Sequence, residues 1–254
     1  MKITQFSVIT VCLNSENTIS ACIESVRVQV DVEVEHIIVD GASTDNTLAI
    51  INGNKCARSI VISEPDRGIY DAMNKGLSLA TGDIICFLNS DDEFASDNVL
   101  SRIWVERNRS SSQVVLTDVQ YVRKNKTQVY RRYSAGRFQP WQLSWGIMPP
   151  HPGIFICRSI FDRIGCFDPS FVIAGDFDLV VRLFMVGNLN WKYLGMCSVT
   201  MRGGGVSNSG LWSKYKLNRE VLIIGARYGL KISVLRLLMK YLLRISQYVW
   251  CRKL

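Results

Sequence analysis

Short apolar runs alternate with amphipathic stretches through the first hundred positions. Phe6 to Leu13 is apolar and rich in β-formers, which predicts a strand ending at Asn14-Ser15. Residues 16–28 then place Ile19, Ile23 and Val26 on one helical face, with Ser15 as the expected cap. Val34 to Val39 predicts a second strand, closed by Asp40-Gly41-Ala42-Ser43-Thr44-Asp45 and followed by a helix through Ile51. Ser59 to Ile62 predicts a third strand, then Glu64-Pro65-Asp66-Arg67-Gly68 and a helix over Ile69 to Leu79. The run Ile84 to Leu88 predicts a fourth, fully buried strand that delivers Asn89-Ser90-Asp91-Asp92 at its carboxyl end. Strand and helix alternating at this spacing mean βαβ units, a parallel sheet and right-handed crossovers.

After Asn108 the alternation stops. Val114 to Val122 and Thr127 to Tyr133 predict a strand pair around the turn 123–126. The segment holding Phe138, Pro140, Trp141, Trp145, Pro149, Pro150, His151 and Pro152 is too restricted for a helix and predicts a shaped loop over a pocket. A strand over Ile154 to Cys157, a helix from Arg158 to Ile164 stopped by Gly165, and a helix from Ala174-Gly175-Asp176-Phe177-Asp178 to Val186 follow. Gly203-Gly204-Gly205 predicts a flexible loop, and a helix begins near Leu211. Lys231 to Trp250 reads as an apolar helix with one basic stripe, Arg236, Lys240 and Arg244. Those charges disfavour a membrane span and fit an interfacial helix, or else a core or dimer helix.

Composition narrows the class. Of 254 residues, 48% are hydrophobic and 20% charged, as in a folded chain with room for a large core. The net charge of +8 is unevenly placed. Residues 211–254 hold ten Lys/Arg against Glu220, while the remainder holds 20 basic and 21 acidic side chains. A neutral body with a basic tail argues against a nucleic-acid-binding face and suggests an anionic membrane surface. The eight cysteines include no C-x-x-C pair, and the amino terminus has no signal-peptide layout, so a reducing, cytoplasmic compartment is expected.

Each of the first four strands ends in a polar loop, at Asn14, Asp40, Asp66 and Asp91-Asp92. Open parallel sheets bind ligands at that edge. Adjacent carboxylates repel, so Asp91 and Asp92 either serve a cation or polar ligand, or one of them, or Asp97, caps the helix running to Trp104. Asp176 at a helix start suits either a general base or a plain cap.

Five segments in order resemble the family 2 glycosyltransferases, inverting enzymes of the GT-A fold: Ser7 to Asn14, Val39 to Asp45, Asp66 to Gly76, Phe87 to Asp92 and Ala174 to Leu179. The resemblance implies an α/β, Rossmann-like, mostly parallel sheet flanked by helices, with a catalytic domain over 1–210. Residues 211–254 would form a basic, amphipathic, membrane-surface segment. It also implies roles. Val11, Asn14, Asp40, Asp66, Arg67 and Asp91 would bind the nucleotide sugar, with Asp40 on the base and Asp91 on the ribose side. Asp92, with Asp91, would hold Mg²⁺ or Mn²⁺ at the diphosphate. Asp176 would be the base, and His151, Trp141 and Trp145 would face the acceptor. Two positions depart from the family pattern: Asn89 stands where an acidic triplet often begins with Asp, and Gly175 stands where Glu usually precedes the base. The expected reaction is transfer from a UDP-linked donor to a lipid-linked saccharide on polyprenyl diphosphate, at the inner-membrane surface, in O-antigen, capsule or exopolysaccharide synthesis. A nucleotidyltransferase would carry a Gly-rich basic loop after the first strand, where this chain has Asn14-Ser15-Glu16-Asn17. A non-catalytic binding module is the other alternative.

Overall fold

The strand Phe6–Cys12 (β1) is buried at every residue because helices cover both of its faces. Phe6 and Val8 pack with Cys22 and Val26 of the helix Ile19–Arg27 (α1), while Ile9 and Val11 pack with Met73 and Leu77 of the helix Ile69–Leu79 (α3). Successive side chains of a strand point to opposite faces, so a continuous apolar run is what a two-sided strand requires. The structure, a computed structural model, describes residues 5–123, 128–185, 189–202, 211–237 and 239.

On one side of β1 lie β2 (Val34–Asp40) and β3 (Ser59–Ser63), joined through α1 and α2 (Thr47–Asn54); on the other lies β4 (Ile84–Phe87). All of these pairings are parallel, as expected. Beyond β4 the sheet becomes mixed. β8 (Ile154–Cys157) is antiparallel to β4 and to β6 (Val114–Val122), and β9 (Trp191–Arg202) runs parallel to β6. The short β5 (Asp92–Phe94) closes the edge against β9, and β7 (Val129–Tyr133) pairs β6. The remaining helices are α4 (Val99–Ser110), α5 (Phe161–Ile164), α6 (Gly175–Met185) and α7 (Leu211–Arg227).

Several expectations change. None of Asp91, Asp92 and Asp97 caps the next helix; β5 intervenes, and α4 starts after Asn98. Ser15 receives the first amides of α1 on its carbonyl, from Thr18 and Ile19, and its hydroxyl points elsewhere. The restricted segment 138–152 contains two 3-10 turns, Pro140–Trp145 and His151–Gly153, since proline suits the first position of a helical turn. β9 escaped pattern reading because its pairing with β6 shifts register around Asp118, which breaks the period-2 burial. Residues 124–126 of the expected turn 123–126, Gly203-Gly204-Gly205, and Lys240 and Arg244 of the tail lie outside the described residues. No helix among the described residues is long and apolar enough to cross a membrane. α7 buries Val221 and Ile224, with Leu237 beyond it, in the same core as α6.

At the amino ends of the strands, Gly82 fits where no side chain would. A Cβ there would lie 2.6 Å from Ser7 N and 2.7 Å from Phe6 C, while the Gly82 amide donates to Ser7 Oγ at 2.8 Å and to Glu35 Oε1 at 3.1 Å. Gly82→Ala should cost about 1–3 kcal/mol of stability in urea unfolding. It should leave amide exchange in the acidic loops unchanged per folded molecule, because Gly82 sits at the edge opposite them. A loss of only about 0.3 kcal/mol or less would contradict this packing, since that is the range of neutral substitutions.

Candidate active site

Hydrogen bonds between side chain and backbone sew the loops at the carboxyl edge together. Asn14, held at a positive φ of 49°, receives the Thr44 N–H on Oδ1 at 2.9 Å and donates its own N–H to Ser43 Oγ at 2.8 Å. Ser15 Oγ meets Ser90 Oγ at 2.9 Å, joining the loop after β1 to the loop after β4. Gly41 lies against the Asp66 side chain so closely that a Cβ would be 2.5 Å from Asp66 Oδ2. Asn14, Asp40, Asp66 and the 89–92 turn therefore share one edge. Val11 is buried in β1 just beneath it.

Asp40 is fully buried. Its oxygens accept from Ser43 N at 3.1 Å, Ser63 Oγ at 2.7 Å, Ser43 Oγ and Cys12 Sγ. Four contacts use the lone pairs of a carboxylate, so a nucleotide base would have to displace one of the serine donors to reach it. Asp66 Oδ1 accepts the Gly68 N–H at 2.8 Å. Arg67 is exposed and pairs with Asp71 at 3.0 Å.

Asp92 is fully buried, at the start of β5. Its Oδ2 takes a long 3.4 Å bond from Asn89 Nδ2. Its Oδ1, and the Oδ1 of Asn89, have no hydrogen-bond partner among the described residues. Burial, and then the adjacent charge of Asp91, push the Asp92 carboxyl well above the usual carboxylate range. Burial also raises Asp91, with Arg202 opposing. Buried, partnerless oxygens beside two strained carboxylates are chemically suited to a hard divalent cation. No cluster of three or more Asp, Glu, His or Cys that could hold a metal exists among the described residues. Such an ion would thus complete its coordination with ligand oxygens and water, as Mg²⁺ does at phosphates.

Asp176 stands in the first turn of α6, and its Oδ1 accepts the Phe177 N–H at 2.7 Å. Its helix is fixed to the start of α3. Tyr70 Oη donates to Ile173 O at 2.7 Å, and Asn74 exchanges two bonds of 2.8 Å with Phe167. A Cβ on Gly175 would come within 2.7 Å of the Tyr70 ring. A glutamate at position 175, as in the family pattern, would meet the Tyr70 ring. Asp178 is buried and paired with Arg182 at 2.8 Å, which makes it a support of the helix.

His151 stacks on Phe87 with ring centroids 5.6 Å apart and meets Phe167 edge-on at 5.9 Å. Trp141, 63% exposed, packs edge-to-face on Trp145, whose ring lies 5.8 Å from the Arg236 guanidinium. Two residues near the site carried no sequence-based expectation. Tyr70 and Glu220 hold the 172–175 backbone from opposite sides. The one available signal for Glu220 was that it is the lone acid in a basic segment.

Residues 7–167 match the family described as Glycosyl transferase family 2. Over 234 residues the chain is 31% identical to a PGL/p-HBAD biosynthesis glycosyltransferase of Mycobacterium bovis, covering 90% of this chain and 88% of that one. Among solved structures it resembles S. aureus TarS 1-349 in complex with UDP-GlcNAc, with a TM-score of 0.68, 20% identity, and 87% and 66% of the two chains covered. It also resembles the mannosyltransferase PcManGT of Pyrobaculum calidifontis in complex with GDP-Man and Mn²⁺, with a TM-score of 0.63, 17% identity, and coverage of 89% and 64%. The chain spans just under two thirds of the length of those two structures. At these identities they establish the fold.

Burial holds the His151 imidazole down at about 4 and that of His36, bonded to Thr10 Oγ1 at 2.9 Å, down at about 3. Both folded values lie below the unfolded value, so their contribution is fully present above about pH 6.5 and is lost as pH falls toward 4. These are the chain's two histidines. Their ring-proton NMR signals should therefore stay flat from pH 7.5 to about pH 5. A midpoint near 6.5 for His151 would contradict its sheltering by Phe87 and Phe167.

Proposed function

The chain belongs to glycosyl transferase family 2, and from that premise we propose that it is an inverting transferase moving a sugar from a UDP-linked donor to a hydroxyl of a lipid-linked saccharide. One observation carries this reading. The first turn of α6, with Asp176, is anchored to α3 directly after Asp66-Arg67-Gly68, so a further acid comes close to the edge where the four strand-end loops meet. That neighbours of this fold bind UDP-GlcNAc, and GDP-Man with Mn²⁺, supports a nucleotide-sugar donor.

In this reading Val11, Asn14, Asp40, Asp66 and Arg67 frame the donor pocket, and Asp91 faces the ribose. Asp176 accepts the proton of the acceptor hydroxyl as that oxygen attacks the anomeric carbon, and the nucleoside diphosphate departs from the opposite face. One displacement gives inversion, so one base suffices. The Phe177 amide, donating to Oδ1, fixes the orientation of that carboxyl group in the first turn of α6. Asp92, with Asp91, is the place for Mg²⁺ or Mn²⁺, which when bound neutralises charge on the leaving diphosphate. His151, Trp141 and Trp145 face the acceptor side.

The carboxyl-terminal segment would meet an anionic inner-membrane surface. Trp212, 79% exposed, stacks on exposed Tyr215, and Leu235 is 70% exposed, with Lys214, Lys216 and Arg236 interleaved. Aromatic and aliphatic side chains between lysines suit a lipid headgroup boundary. Binding to anionic vesicles that falls with salt, and no binding to zwitterionic ones, is the expected outcome; no co-sedimentation with anionic vesicles would contradict the membrane-surface role of this segment.

The test of the transfer is nucleoside diphosphate release from UDP-, GDP- and dTDP-sugars with a lipid-diphosphate-sugar acceptor, with Mg²⁺ or Mn²⁺ and with chelator. One donor should turn over only with acceptor, and chelator and Asp92→Asn should abolish it. Asp176→Asn should lower kcat by about 10²–10⁴-fold, the usual contribution of a positioned base. Normal turnover in Asp176→Asn would refute the assignment of the base, and donor binding without any turnover would favour a binding module.

A further inference from the structure

α7 reaches across the core to grip the segment that presents Asp176. Glu220 Oε1 accepts the Val172 N–H at 3.1 Å, and Oε2 accepts those of Ile173 at 2.9 Å and Ala174 at 2.8 Å. Three successive amides thus converge on one carboxylate that is only 7% exposed. Two turns later Arg227 Nη1 reaches Asp168 Oδ2 at 2.7 Å and lies 3.7 Å from Asp178 Oδ1, with its guanidinium 5.0 Å from the Phe171 ring. The stretch from Asp168 to Asp178 is therefore pinned at its middle by an anion and at both ends by a cation, all from α7.

Packing alone does not account for Glu220. Val221 and Ile224 supply the apolar contact of this helix face. Burying a carboxylate is costly unless donors surround it, and here they are amides just ahead of α6, at a point where a helix start has no acceptors of its own. Ala174 lies two residues before Asp176. A shift of the 172–174 backbone moves the first turn of α6 with it.

We propose that Glu220 is a positioning residue for the transfer: through the 172–174 amides it sets where Asp176 stands against the acceptor hydroxyl, so that the docking of α7 is coupled to catalysis. This rests on the reading of Asp176 as base.

The test compares full-length Glu220→Gln and Glu220→Ala with wild type and Asp176→Asn. UDP binding by calorimetry counts the donor-competent molecules, and kcat and donor KM are expressed per competent molecule. Amide hydrogen exchange is followed over residues 168–178. Glu220→Ala should lose about 10–100-fold in kcat with donor KM within about two-fold, the pattern of a misplaced catalytic group. Glu220→Gln, which keeps one acceptor oxygen, should fall between, and exchange should quicken over 168–178. Should the alanine variant not fold, the near-isosteric glutamine variant still reads kcat against KM. Unchanged kcat per competent molecule, with only a lower melting temperature, would overturn the proposal and leave Glu220 a plain brace. If Asp176→Asn is inactive while both Glu220 variants keep wild-type kcat, the positioning role alone falls. If Asp176→Asn turns over normally, the base reading falls and this inference with it.

Discussion

A carboxylate with no access to water has to be surrounded by donors, and Asp40 is where this chain meets that demand. Its donors come from the loop it opens, through Ser43, from the end of β3, through Ser63, and from β1, through Cys12. Satisfying one buried acid thereby fixes three strand ends at a common level. Asn14 then braces the same loop from the other side, and Ser15 carries the link on to Ser90. These polar, sheltered contacts hold the loops of the carboxyl edge together.

The acids that remain, Asp91, Asp92 and Asp176, differ in kind from Asp40. Asp92 keeps one oxygen without a donor among the described residues, and burial with a neighbouring charge raises its carboxyl. Such an arrangement costs stability in the absence of a ligand, which is typical of sites that store strain for function. Asp176 accepts the Phe177 amide in the first turn of a helix whose approach is held by Tyr70, Glu220 and Arg227. One end of the site is filled by its own hydrogen bonds, and the other is held in place from outside.

How much of this could be read from the sequence follows from the range of the interactions. The parallel half of the sheet was legible because each strand is a two-sided apolar run with a polar loop at its end, and the motifs from Asn14 to Asp92 are local. In the mixed half the β6–β7 pair and β8 were legible as well, and β5 and β9 were not. β9 is half-exposed and shifts register against β6, and β5 is three residues long and exists only through its partner. The expected caps failed for a related reason: the Ser15 hydroxyl turns to Ser90, and Asp92 enters β5, which pairs with β9, both out of reach of local rules. Gly175 looked like a lost glutamate until the Tyr70 ring was seen in its place. Glu220 lies far along the chain from the amides it binds, a relation no periodicity encodes.

The claim at the centre of this account is that Asp92 serves a cation that a nucleotide diphosphate helps to bind, while Asp176 serves the acceptor. Manganese uptake followed by electron paramagnetic resonance, with and without UDP, tests it directly. The account predicts that one ion is taken up when UDP is added, that Asp92→Asn abolishes this, and that Asp176→Asn leaves it unchanged. Uptake that survives in Asp92→Asn, or that disappears in Asp176→Asn, would contradict the division of the site into these two ends.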